Sequence, residues 1–192
     1  MVEKSHKKRI IILLIIIVII ISALGFGAYK IVTMKPEQQS ANTAVADQNQ
    51  EPTATLAAII SSTTDLNDFE KQLKEVGLYT DLDGTTPYTV FAFTNNGFKN
   101  SEQAVKDLFK RTDTEQTKNI INYQIASGKI EPDAMVDGLK IKTMNGSEVV
   151  VKSENKNLYI VDMKGNKWKV IKAGIPAKNG TIYEVDGVLL PQ

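Results

Sequence analysis

An α+β fold is what this sequence predicts: an antiparallel β-sandwich or wedge with several packed α-helices, the N-terminal part of the globular region being mainly helical. Two patterns and one absence predict it. From Thr55 to Tyr123 apolar side chains recur mostly at helical spacing, interrupted by one aromatic and β-branched run at Tyr88–Phe93. Beyond Tyr123 the spacing turns to alternation, with Asn-Gly and Lys-Gly turns between the runs. Helices first and hairpins later build helices on an antiparallel sheet, not a parallel βαβ layer. The chain has no cysteine, so neither disulfides nor thiolate-bound metals hold it together.

In chain order, residues 1–9 are a basic leader containing Lys4, Lys7, Lys8 and Arg9. Ile10–Tyr29 is a run of 20 residues without a charge. As a helix it spans about 30 Å, the thickness of a bilayer's hydrocarbon core. The leader outweighs Lys30 and Lys35 in positive charge, which predicts a cytoplasmic amino terminus and an outside domain. The run exceeds the roughly 7–15 apolar residues of a signal peptide, so a single-pass signal-anchor in the cytoplasmic membrane is expected. Gly25 and Gly27 would allow cleavage before Ala28, and secretion is the alternative. Residues 30–54 form a linker poor in large apolar side chains between Met34 and Thr53, expected to be disordered because burial cannot offset the entropy of ordering. About 20 such residues reach on the order of 25 Å.

Residues 55–192 form the predicted domain. Thr55 precedes a short apolar helix, Leu56–Ile60. Asp65 is expected to cap a second, in which Leu66, Phe69, Leu73 and Val76 make one stripe and Gly77 ends the helix in the left-handed conformation. Tyr88–Phe93 reads as a strand. Ser101 starts a helix bearing Val105, Leu108 and Phe109, and Thr112-x-x-Glu115 is a capping box for a helix bearing Ile120 and Ile121. Leu139–Met144 and Glu148–Lys152 flank Asn145-Gly146 as a hairpin, since this dipeptide adopts the tight turn that matches strand twist. Leu158–Val161 and Trp168–Ile171 flank Lys164-Gly165-Asn166 as a second, and Asn179-Gly180 turns into the last strand.

Two blocks carry more specific information. Thr89-Val90-Phe91-Ala92-Phe93-Thr94-Asn95-Asn96-Gly97-Phe98 lies near the middle, and Asn179-Gly180-Thr181-Ile182-Tyr183-Glu184-Val185-Asp186-Gly187-Val188-Leu189-Leu190-Pro191 at the end. In this order they resemble the opening and closing signatures of the fasciclin domain, with Thr94, Asn95, Phe98, Asn179, Gly180, Asp186, Leu189 and Pro191 among the matching positions. Phe93 stands where the family usually has proline, and Tyr183 where it has histidine. Tyr123-Gln124-Ile125 occupies the place of the family's tyrosine-histidine segment, with Gln124 for the histidine. The resemblance implies the fasciclin fold, adhesion to cells, matrix or polysaccharide, no cofactor, and Tyr123, Gln124 and Ile125 as partner-binding candidates. A glutamine donates and accepts hydrogen bonds but does not titrate, so any pH response of those histidines is not inherited. Thr94 and Asn95 are expected to bond the backbone as the chain turns, Asp186 to sit in an apolar strand accepting from a neighbouring turn, and Gly180 to supply a positive φ.

Composition narrows the function classes. Residues 1–35 hold six basic side chains and one acid, so the rest is net acidic although the whole chain is +1. Such a domain has no electrostatic footprint for nucleic acid. The single histidine, His6, lies in the leader, and with no cysteine the usual bases, nucleophiles and metal ligands are missing from the domain. Glu131, Asp133 and Asp137 are the best acidic cluster, but their Glu-Pro-Asp and Asp-Gly settings mark turns. No catalytic, metal or cofactor role is expected. Lys140, Lys142, Lys152, Lys167, Lys169 and Lys172 alternate along strands as a solvated face, or alternatively as a patch for an anionic glycan. Asn145-Gly-Ser and Asn179-Gly-Thr are glycosylation sequons that also read as turns. The expected function is a membrane-anchored surface adhesion module binding an extracellular protein or polysaccharide. The alternative is an envelope ligand-binding or sensory protein with an apolar pocket between helices and sheet.

Overall fold

The computed structural model describes residues 51–110 and 114–192, all within one unit, Asp47–Gln192. The leader, the apolar run 10–29, residues 30–50 of the linker and Thr112 of the capping box lie outside the described residues. Among the latter no helix is long and apolar enough to cross a membrane.

Six helices and seven strands are described. Helix α1 is Leu56–Ser62, capped by Thr55, whose hydroxyl accepts the Ala58 N–H at 3.2 Å. A 3-10 turn, Thr64–Leu66, leads into α2, Asn67–Glu75. Asp65 sits inside that turn and does not cap α2, a correction to the expectation from sequence. The cap comes from a distant residue: Asn95 Oδ1 accepts the Asp68 N–H at 3.0 Å and Asn95 Nδ2 donates to Thr64 O at 2.9 Å. Gly77, at φ 76°, closes α2, and Leu78 N–H reaches back to Leu73 O at 2.9 Å. Then follow α3 (Tyr79–Asp83), β1 (Tyr88–Phe93), α4 (Asn95–Asn100), α5 (Gln103–Lys110) and α6 (Thr114–Tyr123). The remaining strands are β2 (Ile125–Ser127), β3 (Lys140–Lys142), β4 (Glu148–Glu154), β5 (Asn157–Val161), β6 (Lys167–Ala177) and β7 (Gly180–Val185). The β structure begins at Ile125, because Tyr123 is the last residue of α6.

The strands run in the order β2-β1-β7-β6-β5-β4-β3. All neighbours are antiparallel except β1 and β7, which pair in parallel with Val90 opposite Ile182, so the sheet is mixed. Strand β6 serves both halves of the wedge: Lys167–Lys169 pair with β5, and Val170–Ala177 pair with β7 through two register shifts that bend it. The two ends of the strand order meet again at one bridge, Ala126 to Thr143, which makes the sheet nearly a barrel. The β4–β5 hairpin closes on Asn155 and Lys156, both at positive φ (50° and 64°). That is the mirror-image turn a two-residue hairpin needs, here made without glycine.

The core joins the helical stripe to the sheet's inner face. Leu66, Phe69 and Leu73 of the predicted stripe are fully buried with Phe91, Phe93, Ile182 and Tyr183. Phe93 meets Phe69 edge-on at 5.0 Å and stacks on Phe98 at 5.6 Å; Phe98 meets Phe109 at 5.4 Å. Phe93, standing where the family usually has proline, thus bridges α2, α4 and α5 through ring contacts.

Candidate functional site

The residues of the two signature blocks converge on the seam where both ends of the domain meet the central strands. Thr94 follows β1 and caps α4: its hydroxyl accepts Gly97 N–H at 3.0 Å, while its own N–H donates to Val185 O at 3.0 Å. Asn95 caps α2 as described, and Phe98 joins the aromatic cluster. Asn179 is buried and fully used. Its Oδ1 accepts Leu56 N–H at 2.8 Å, and its Nδ2 donates to Leu82 O at 2.9 Å and Gly84 O at 2.8 Å. One side chain therefore ties the starts of α1 and β7 to the end of α3, and the sequon asparagine has no exposed amide to modify. Gly180 is required by close approach: a Cβ there would lie 2.0 Å from Tyr88 O and 2.8 Å from Leu56 Cδ1. Leu189 and Pro191 are buried at the end of the chain.

Asp186 does not sit buried in the last strand. The ladder ends at Val185, and Asp186 is exposed at the following bend, where its Oδ1 accepts Lys169 N–H at 2.6 Å. The buried carboxylate of β7 is Glu184, opposite Lys172 on β6. Lys172 Nζ stands 3.0 Å from its Oε1 and 2.9 Å from its Oε2, and hydrogen-bonds the former. Alternation could have shown Glu184 as a charge within an apolar strand; its partner lies in another strand and left no local trace.

Asp162 is the larger omission. It is buried in the turn after β5 and accepts five hydrogen bonds. Its Oδ1 takes Lys164 N–H (3.0 Å) and Asn166 N–H (2.9 Å); its Oδ2 takes Asn166 Nδ2 (3.0 Å), Trp168 Nε1 (3.2 Å) and Leu190 N–H (3.1 Å). The Trp168 ring it orients covers Gly187, where a Cβ would come within 2.1 Å of the ring. Asp162 thus links the second hairpin to the closing signature.

Tyr123, Gln124 and Ile125 are brought together, but inside the domain, exposed by 0%, 0% and 1%. Tyr123 donates to Glu148 O at 2.7 Å and accepts Met163 N–H at 3.0 Å; burial pushes its phenol up to about 12. Gln124 Nε2 donates to Ile120 O at 3.1 Å and Leu189 O at 2.7 Å, and its Oε1 faces Leu189 N–H at 3.4 Å. Tyr183 donates to Ile130 O at 2.9 Å, and burial likewise raises its phenol to about 12. The residues at both family histidine positions are therefore internal hydrogen-bonding posts.

The surface offers less charge than the sequence suggested. Four of the six strand lysines face carboxylates: Lys140 with Glu148 at 3.7 Å, Lys152 with Asp137 at 3.9 Å, Lys167 with Glu154 at 2.6 Å and Lys172 with Glu184. Asp137 also accepts Ser153 N–H at 2.9 Å, and Glu131 pairs with Lys129 at 2.8 Å, so these acids serve turns and strand ends. Among the described residues no group of three or more Asp, Glu or His could hold a metal. A hollow of about 890 Å³ lies away from the helices. It is an open groove beside β3, with Ser127, Ile130 and Ala134 on one wall and Leu139 to Met144 on the other.

A sequence profile of the Fasciclin domain matches residues 64–191. The cell surface glycolipoprotein MPT83 of Mycobacterium tuberculosis is 31% identical over 150 residues, covering 77% of this chain and 64% of that protein. This chain therefore spans just under two thirds of that relative's length. Protein sll1483 of Synechocystis is 26% identical over 170 residues, covering 88% of this chain and 90% of that protein. Among solved structures, a FAS1 domain pair from the insect cell adhesion molecule fasciclin I superposes with a TM-score of 0.65 at 22% identity, covering 72% of this chain and 51% of that one.

Proposed function

Because the chain belongs to the fasciclin domain family, we propose that it is a surface interaction module, held by residues 10–29 in the cytoplasmic membrane with its domain outside, binding an extracellular protein or polysaccharide. The observation that carries the reading is how the signature polar groups are spent. Thr94, Asn95, Gln124 and Asn179 are committed to backbone partners within the fold, so recognition falls to the surface they hold in place. The relatives support the same setting: one is named a cell surface glycolipoprotein, and the matched structure comes from a cell adhesion molecule. With Tyr123, Gln124 and Ile125 buried, a partner meets other residues.

The test is a binding screen of the detergent-solubilised full chain against matrix proteins, glycans and envelope polymers. Saturable binding to one class is expected; an empty screen, with unchanged attachment of cells lacking the protein, would remove the reading. Protease treatment of intact cells tests the topology: the domain is expected to be cut, and complete protection would place it inside.

A further inference from the structure

The two ends of the strand order join at a single point and then part. Thr143 bridges Ala126, and Met144 N–H reaches Ile125 O at 2.7 Å. On β3 the ladder to β4 uses odd-numbered residues. Val151 N–H bonds Leu139 O at 2.8 Å, Ile141 pairs with Val149, and Thr143 N–H bonds Ser147 O at 2.8 Å. In an antiparallel ladder alternate residues point their backbone groups away from the partner strand. Lys140 and Lys142 therefore aim theirs away from β4, into the groove. Beyond the bridge at Thr143, Lys142 N–H and both groups of Lys140 meet no backbone partner outside the ladder among the described residues. Two residues along a strand lie about 6.7 Å apart, the repeat at which an added strand presents its own groups.

The walls fit a strand of particular composition. Ile130, Leu139, Ile141 and Met144 supply apolar surface, and the Lys140 and Lys142 side chains are exposed on the solvent side. Lys142 has no ion pair among the described residues, and Lys140, 68% exposed, meets only Glu148 at 3.7 Å. Paired lysines on an edge repel a second copy of the same edge and attract carboxylates.

We propose that the open edge of β3 is a docking site for an extended acidic segment of a partner protein, which adds as a strand beside Lys140–Lys142. The segment alternates apolar residues facing Ile141 with Asp or Glu facing the lysines; its main chain bonds Lys140 and Lys142. This deepens the proposed interaction role and rests on it.

The test uses the full chain in detergent with a fluorescein-labelled peptide of about ten residues alternating Glu and Val, and its Lys-Val counterpart. The Glu-Val peptide is expected to slow amide exchange at Lys140 and Lys142 by about tenfold or more. Two variants, each checked to keep a cooperative thermal transition, should weaken its binding about tenfold: Lys140→Glu/Lys142→Glu, which inverts the charge at a small cost in stability against Glu148, and Lys142→Pro, which deletes one outward N–H that no ladder bond needs. Unchanged exchange, equal affinity for the Lys-Val peptide, or edge amides already protected in proportion to protein concentration (a second copy covering β3) would each overturn the proposal. The screen above, repeated on the charge-inverted variant, separates this failure from that of the wider reading. If wild type and variant hold the same partner equally, the β3 proposal falls and the interaction role stands. If wild type binds nothing in the screen yet docks the peptide at these amides, the edge stands and the wider role falls.

Discussion

Replacing Asp162 should destabilise the domain more than any other single polar change in the β5–β6 turn, and Asn should serve hardly better than Ala. The carboxylate accepts five donors. Three belong to Lys164 and Asn166 at the turn, where water can replace the carboxylate. Two are harder to rehydrate: Leu190 N–H is buried, and Trp168 is half-buried with its ring against Gly187. A hydrogen bond to a charged acceptor contributes about 1.5–3 kcal/mol, so losing these two in Asp162→Ala costs about 4 kcal/mol. With a urea m-value of about 2 kcal/mol/M the unfolding midpoint should fall by about 2 M. Asp162→Asn keeps shape and volume but turns one oxygen into an NH₂. Either orientation then sets a donor against donors, so about 3 kcal/mol should be lost. An Asn variant within about 1 kcal/mol of wild type would refute the reasoning, since the site would then need only a polar filler.

Other perturbations follow from the same geometry. Gly180→Ala drives a methyl into Tyr88 O and should cost at least about 3 kcal/mol, seen in calorimetry as a melting point lower by about 10 °C; an unchanged melting point would mean β1 and β7 do not approach as described. Lys172→Met leaves Glu184 buried without its cation and should cost about 1–3 kcal/mol in urea unfolding, less than a fully buried pair because the ammonium reaches water; adding Glu184→Gln should restore most of it. Alkali should unfold the domain through its two buried phenols. Their folded pKa values, about 12, exceed the ordinary value of 10, so the unfolded state loses protons first and stability falls as pH rises from about 10 to 12. Below that window they contribute nothing to the pH dependence. Tyr123→Phe/Tyr183→Phe should start less stable, having lost bonds to Glu148 O and Ile130 O, but show a flatter profile above pH 10 in circular dichroism.

Local pattern revealed most elements and few of their connections. The stripe Leu66, Phe69, Leu73 and the turns at Asn145-Gly146 and Lys164-Gly165-Asn166 were legible because periodicity and turn chemistry act over a few residues. The turn at Asn155-Lys156 was not, since positive φ usually advertises itself through glycine and here does not. Parallel pairing of β1 with β7 joins segments about ninety residues apart and has no local signature; only the likeness of the two blocks to a known family hinted that they meet. Asn95 illustrates the limit: a cap on α2 was expected from Asp65 next door, and it comes from across the domain. Asp186 lies beyond the strand for a related reason, because alternation does not say at which residue a strand leaves its ladder. Tyr123, Gln124 and Ile125 were legible as a motif, but the motif does not show that its side chains point inward.

The proposed function assigns recognition to the surface of the domain, outside the cell. The most direct measurement is attachment under flow of cells carrying the wild-type chain, no chain, or Asp162→Ala held above its melting temperature, on a coat of the partner class found in the screen. Only the wild type is expected to adhere, saturably and in competition with the detergent-solubilised chain. Equal adhesion by all three would contradict recognition by the folded domain's surface.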